Sequence, residues 1–452
     1  MLGSRHATCG QTWTGRVASM SVCSSERHRL LIVAVHAEYM QRTSRRRIAF
    51  YSHDTQGLGH IRRNIALAAA LVADEPSTDV LLITGAPQAT ALPLPPHTEV
   101  VTVPTVTKGA DGGYAAGTFE MPLARLLELR SGIIASALIS YRPDLVIVDK
   151  VPRGLDGELV PALEALVDVS GHKTGRRPRV VLGLRDILDD PITTRQEWRE
   201  QGSTEAVDTY YDEIWVYGDR AVLDVATEYR LPARVAAKMR YTGYLADGRD
   251  EARLDEGDGA SAEPVPHPFV LCLVGGGQDG YPTADAFARS SYPDGHTGVL
   301  ITGPYMAERE RAALARVAEA REDLVVRELV TDTHVLLRDT AAVVTMGGYN
   351  SVCEALASRR PTLVVPRIRP RVEQLVRADR LSRLGLVDAM APQALDPTAV
   401  TAWLADAVTA GSSQGARVEV ALDGLARVPG VARRALSTRL APTRPRREEM
   451  AS

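Results

Sequence analysis

The strongest constraint on this chain is a rhythm that runs twice along it. Short apolar runs fall at 48–51, 80–84, 100–103, 145–149, 180–184 and 214–217, with helix-like segments such as 61–73 and 123–140 between them. A strand that is apolar throughout has both faces covered, and strands joined through helices run parallel. A polar stretch rich in Gly, Asp, Glu and Pro interrupts the rhythm at 244–267 and reads as a linker. A second series follows at 269–274, 299–302, 324–327, 342–345 and 362–365, and 399–436 is mostly helical in pattern. The expected fold class is therefore α/β, with two doubly wound Rossmann-like domains, 47–243 and 268–440, facing a cleft. A length of 452 residues suits two domains. Residues 1–46 are expected to be a disordered extension, of which 1–39 could be an upstream start-site artefact, and 441–452 a disordered tail.

Composition narrows the function classes. Hydrophobic residues make up 45% and charged residues 24%, the balance of a globular protein. A net charge of −3 argues against nucleic acid as a partner. No apolar run approaches the roughly 18 residues of a membrane span. The run 30–35, followed by His36-Ala37, faintly resembles a signal segment, but what precedes it is too long and polar. Cys9, Cys23, Cys272 and Cys353 show neither metal-ligand spacing nor a disulfide framework, which fits a reducing compartment. The expectation is a cytoplasmic protein, with peripheral contact at the inner face of the membrane left open.

Three strand-to-helix turns carry the candidate chemistry. In Met346-Gly347-Gly348-Tyr349-Asn350-Ser351-Val352-Cys353-Glu354 a glycine turn opens a helix, a geometry that aims backbone N–H groups at an anion. Glu354, one turn in, would repel a phosphate but suits the hydroxyls of a sugar beside one. A plainer reading makes Ser351-x-x-Glu354 a capping box serving only the helix end. The second turn is Gly275-Gly276-Gly277-Gln278, whose consecutive glycines allow close approach of backbone to a phosphate, or form a flexible turn. The third is His53-Asp54-Thr55-Gln56-Gly57-Leu58-Gly59-His60, which is neither a full dinucleotide fingerprint nor a Walker A loop. His60 at the helix start can act as general base, can bind phosphate when protonated, or can simply cap the helix. Downstream, Arg367, Arg369 and Arg371 could neutralise a diphosphate or an acidic acceptor, or form a solvated surface run. Glu373 and Gln374 could bind sugar hydroxyls. The chain contains no Asp-x-Asp, the spacing with which many sugar-nucleotide enzymes hold a divalent ion.

With these motifs in place, the chain resembles the two-domain GT-B glycosyltransferases, and within them family 28, which includes the lipid II-forming N-acetylglucosaminyltransferases. The similarity is strongest over 269–391, where Gly-Gly-x-Gln-x-Gly is followed by the Gly…Ser-x-x-Glu…Pro…Glu-Gln series; in the first half it rests on Gly57-Leu58-Gly59-His60. The resemblance implies that Gly275, Gly276, Gly277 and Gln278 face a donor diphosphate and that backbone near Val330 meets the base. It implies further that Gly347, Gly348, Asn350 and Ser351 line the phosphates, that Glu354 binds the ribose, that Gln374 binds the sugar, and that His60 lies near the acceptor. Leu375 stands where those relatives have a second glutamine. Val148-Asp149-Lys150-Val151-Pro152-Arg153 and Gly183-Leu184-Arg185-Asp186 have no counterpart in them, which points to a distinct subgroup and away from lipid II synthesis.

The expected activity is transfer of a hexose from a nucleotide-diphosphate donor, a UDP-sugar by preference, to an acceptor hydroxyl, inverting and without metal or separate cofactor. His60 is the first candidate base, with Asp54 and Asp149 behind it. The alternatives are a non-hydrolysing UDP-sugar 2-epimerase and a non-catalytic sugar-nucleotide-binding subunit. Acceptor choice is expected to lie in the glycine-bearing segment 105–119, and the sequence names neither sugar nor acceptor.

Overall fold

Strand β1, Arg46–Ser52, is buried on both faces from Ile48 onward, and the alternation of its side chains feeds two separate apolar layers. The computed structural model describes residues 45–54, 58–108, 113–168, 177–248, 265–330, 333–411 and 419–438. Gly57, most of the linker and nearly all of the two terminal extensions lie outside the described residues.

Every strand of the first sheet runs parallel. Its order is β3 (Thr98–Thr102), β2 (Thr78–Thr84), β1, β6 (Leu145–Asp149), β7 (Arg179–Arg185), β8 (Glu213–Tyr217) and β9 (Met239–Tyr241). Helix α1, Gly59–Asp74, returns from β1 along one face, and α2, Leu123–Tyr141, packs on the other. Between β3 and α2, within the segment read as a loop, Val106–Lys108 and Tyr114–Ala116 pair as a short antiparallel hairpin, β4–β5.

The second sheet repeats the design in six parallel strands: β12 (Leu324–Arg327), β11 (Thr297–Ile301), β10 (Phe269–Leu273), β13 (Val343–Thr345), β14 (Thr362–Val364) and β15 (Asp388–Ala389). In both sheets the strand order reverses beside the first strand of the series, which opens a crevice at the carboxyl ends of the central strands. Helix α11, Tyr349–Ser358, follows β13, and α12, Glu373–Arg383, follows β14.

Two features reach beyond the sequence-based domain limits. The last described helix, α14 (Gly424–Ser437), packs on α1 and so covers the first sheet, with Val428, Val431 and Ala432 joining the layer built on Ile48 and Phe50. Tyr244, Leu245 and Ala246, at the start of the linker, are buried in the same layer. An amphipathic helix needs an apolar face to cover, and chain order does not say which sheet supplies it.

Candidate functional site

The carboxyl ends of both sheets enclose one cavity of about 430 Å³, within the usual range for small-molecule sites. From the second sheet, α11 enters with its N-terminus. Gly348 is its N-cap, no side chain caps it, and the amide of Val352 closes a helical bond on the Gly348 carbonyl at 2.9 Å. Ser351 is thus the third residue of the helix and Glu354 the sixth. A capping box would need Ser351 outside the helix, so the plainer reading fails on position. Gly348, Tyr349, Asn350, Ser351 and Glu354 all line the cavity, where the positive end of the helix dipole favours an anion. Gly347 does not line it. A Cβ there would lie 2.9 Å from both Cβ and the carbonyl oxygen of Gln374, so this glycine lets α12 close against the turn.

Gly275, Gly276 and Gly277 form the facing wall with Gln278. Gly277 has φ of 90°, and a Cβ on it would meet the Thr302 carbonyl oxygen at 2.2 Å, so only glycine fits. Val330 also lines the cavity. At the other end α12 begins with Glu373 and Gln374. Arg367 holds both: its Nη2 is 2.6 Å from Glu373 Oε1, and its backbone N–H donates to Gln374 Oε1 at 3.1 Å. Glu373 Oε2 is buried with no hydrogen-bond partner. Burial alone would raise the Glu373 pKa, but the guanidinium groups of Arg367, Arg185 and Arg377 hold it below the usual value. A charged acceptor atom is thereby left over for a ligand hydroxyl.

The first sheet contributes His60, on the first turn of α1. Its Nδ1 lies 2.8 Å from Asp149 Oδ2, at the end of β6, and Arg63 donates to Asp149 Oδ1 at 2.7 Å. Arg63 and Asp149 are 2% and 1% exposed. Burial pushes the Asp149 pKa up, but Arg63 and His60 pull it well below the carboxylate range. An ionised Asp149 that accepts from His60 places the ring proton on Nδ1 and leaves Nε2 as the basic nitrogen. Arg63 Nη2 is also 3.0 Å from His60 Nδ1; with the proton directed at Asp149, that approach is not a hydrogen bond. Asp149 therefore orients the His60 ring. Asp54 is not among the residues that line the cavity: its Oδ2 accepts from Thr84 Oγ1 at 2.5 Å and from Ser52, which ties β1 to β2, while its Oδ1 is buried without a hydrogen-bond partner.

Sequence reasoning overlooked several members of this site. Arg63 sits three residues after His60, one turn along the same face, a spacing that could have revealed it. Lys150 and Arg185, next to and at the carboxyl ends of β6 and β7, line the cavity, as does Tyr114 of the β4–β5 hairpin. Arg371, grouped in sequence with Arg367, lines the cavity and also bridges to the first sheet's lobe, pairing with Asp189 at 2.9 Å and Glu197 at 2.7 Å. Among the described residues no group of three or more His, Cys, Asp and Glu is arranged to hold a metal ion.

Two parallel sheets meeting over one crevice define the GT-B architecture, and solved structures share it. CalG4, the calicheamicin glycosyltransferase, is 17% identical over 87% of this chain and 95% of its own, with a TM-score of 0.51. The glycotransferase of kitacinnamycin is 18% identical over 86% and 99%, with a TM-score of 0.52. A Listeria monocytogenes protein assigned as a UDP-N-acetylglucosamine 2-epimerase is 13% identical over 87% and 96%, with a TM-score of 0.55. No protein-family model and no curated protein matches the sequence. At these identities the likeness is one of fold, and the chain has the GT-B fold.

Proposed function

We propose that this protein is a glycosyltransferase that moves a sugar from a nucleotide-diphosphate donor, a UDP-sugar by preference, to an acceptor hydroxyl, with inversion and without a metal. One observation carries the reading: a single cavity holds the uncapped N-terminus of α11, faced by the Gly275–Gly277 turn, and on its other side a histidine held by Asp149. The diphosphate lies against the helix N-terminus and the glycine turn, the ribose hydroxyls at Glu354, the base near Val330, and the sugar at Glu373 and Gln374. The order of these motifs resembles family 28, and glycosyltransferases among the structural neighbours support the class.

In the reaction, His60 Nε2 takes the proton of the acceptor hydroxyl as its oxygen attacks the anomeric carbon. The bond from that carbon to the diphosphate breaks, and the diphosphate leaves with the electron pair. The α11 dipole and Arg367 stabilise the developing negative charge. General-base assistance of this kind contributes about 10²–10⁴ in rate, so His60→Ala lowers turnover without abolishing it.

A second reading, a non-hydrolysing UDP-sugar 2-epimerase, is favoured by the likeness in fold to the Listeria protein. It shares the donor but needs no acceptor.

Calorimetric titration of UDP, GDP, TDP and ADP in EDTA, on wild type and Glu354→Ala, tests the donor site. One nucleotide is expected to bind without metal and to lose about 1–3 kcal/mol in the variant, the cost of removing a charged hydrogen-bond partner. Absence of binding, or equal binding by the variant, overturns the donor-site reading. Incubation with UDP-N-acetylglucosamine alone separates the two activities, because isomerised sugar nucleotide identifies the epimerase.

A further inference from the structure

On the first-sheet side of the cavity, three basic side chains are left over by the chemistry described above. Lys150 follows β6 in the left-handed region, with φ of 69°, a conformation uncommon outside glycine. Its backbone N–H donates to the Gly183 carbonyl at 2.8 Å, which fixes the start of this turn against β7. Arg185 ends β7, and its Nε is buried with no hydrogen-bond partner. Among the described residues, neither side chain has an ion-pair partner. His53, 8% exposed, lines the same wall, and its Nδ1 is likewise buried and unpartnered.

These groups are packed closely enough to oppose one another's charge. Burial, and then Arg185 and Arg371, lower the Lys150 ammonium to about 7. Burial, Arg63 and Arg377 lower the Arg185 guanidinium to about 10. Burial, His60 and Lys150 keep the His53 ring neutral by holding its pKa well below the ordinary value. Glu373 and Asp149 offset part of this repulsion, but the direct contacts of Asp149 are to Arg63 and His60, and that of Glu373 is to Arg367. Two basic side chains with no ion-pair contact of their own, and a buried ring nitrogen with no hydrogen-bond partner, make a site that an anion would complete.

We propose that Lys150, Arg185 and His53 form a phosphate-binding subsite for the acceptor, so that the acceptor is a phosphorylated molecule whose attacking hydroxyl reaches His60. This rests on the transferase reading for its word acceptor. The donor diphosphate is the competing occupant, and position decides against it. The subsite is built on the first sheet, beside Asp149 and therefore beside His60, whereas the helix N-terminus and glycine turn that suit the diphosphate belong to the second sheet. A guanidinium offers a planar fork and an ammonium a point charge, a pair that suits the three oxygens of a phosphate monoester.

The test is calorimetric titration of inorganic phosphate, and separately of acetate, into the full-length protein saturated with UDP. Wild type, Lys150→Gln, Arg185→Gln and Lys150→Arg are compared, and UDP affinity is measured on each. The expected result is millimolar phosphate binding to wild type with little for acetate. Each Gln variant should lose tenfold or more in phosphate affinity, Lys150→Arg should retain most of it, and UDP binding should be unchanged. Unchanged UDP affinity also shows that the variants fold. Phosphate binding that is absent from wild type, or indifferent to both Gln changes, overturns the proposal, as does a preference for acetate. UDP affinity that falls together with phosphate affinity assigns the cations to the donor diphosphate and overturns it too. If UDP fails to bind any form while phosphate binding still depends on Lys150, the donor reading fails and the anion site stands.

Discussion

Replacing Asp149 with asparagine separates the stabilising role of this carboxylate from its role in orienting His60. The change keeps the shape of the side chain and one acceptor oxygen but removes the charge that Arg63 and His60 share. Arg63, 2% exposed, then becomes a buried cation without its partner. Breaking such a pair costs about 3–5 kcal/mol, and the remaining amide oxygen favours the lower end. For a lobe of roughly 200 residues, about 3 kcal/mol lowers the melting temperature by about 6–12 °C. The pH dependence follows from the direction of the pKa shift. Folding lowers the Asp149 pKa, because Arg63 and His60 outweigh the burial that opposes ionisation. Its ionised form therefore stabilises the fold above the unfolded-state value of about 3.9 and loses that contribution as pH falls through the folded value. The gap between wild type and variant should stay constant from about pH 5 upward and narrow below about pH 4. Ring-nitrogen NMR reports the second role: wild type should show His60 protonated on Nδ1, and the variant a mixture of tautomers. Equal melting temperatures across this range, together with an unchanged tautomer, would refute the reasoning.

Three further outcomes are expected. Gly277→Ala puts a Cβ within 2.2 Å of the Thr302 carbonyl and leaves alanine at φ of 90°; by calorimetry, nucleotide affinity should fall tenfold or more as the turn shifts. Glu373→Gln should leave UDP affinity unchanged and weaken binding of the matching UDP-sugar by about 1–3 kcal/mol, since Glu373 Oε2 is the buried acceptor left over for a sugar hydroxyl. Arg377→Met removes a cation paired with Asp186 at 2.8 Å in a buried setting. Chemical denaturation should show a loss of about 3–5 kcal/mol, and nucleotide binding should weaken because Arg377 also donates to the Gly347 carbonyl at 2.7 Å.

The two sheets were legible because their strands are buried on both faces. Runs such as Leu145–Asp149 have no solvent side to dilute the apolar signal. The β4–β5 hairpin was not, since strands of three residues carry too short a pattern to stand out from a loop. The return of α14 to the first sheet was equally hidden, because Val428 and Val431 would suit any apolar layer. Within the site, glycine turns between strand and helix were readable as local chemistry. The capping-box alternative at Ser351 and Glu354 misplaced the helix start by three residues, the distance from Gly348, the N-cap, to Ser351. Lys150 and Arg185 were visible as residues but silent as a pair, because 35 positions of chain and a parallel strand pairing separate them. Charge relations of that kind are created by the sheet and leave no trace in spacing.

Several residues that hold the two lobes together also line the site. Tyr349, on the first turn of α11, accepts a hydrogen bond from the Leu245 amide and stacks against Tyr244, with the Arg63 and Arg377 guanidinium groups 5.6 and 5.8 Å from its ring centre. Asn350 donates to the Gly59 carbonyl at the start of α1, 3.0 Å away, one residue before His60. Arg377 joins the Gly347 carbonyl to Asp186, the neighbour of Arg185. The α11 N-terminus thus touches the His60 turn through Asn350, while Arg377 of α12 links the Gly347 carbonyl to Asp186 beyond the end of β7. Parting the lobes would expose Tyr349 and break the buried ion pair between Asp186 and Arg377.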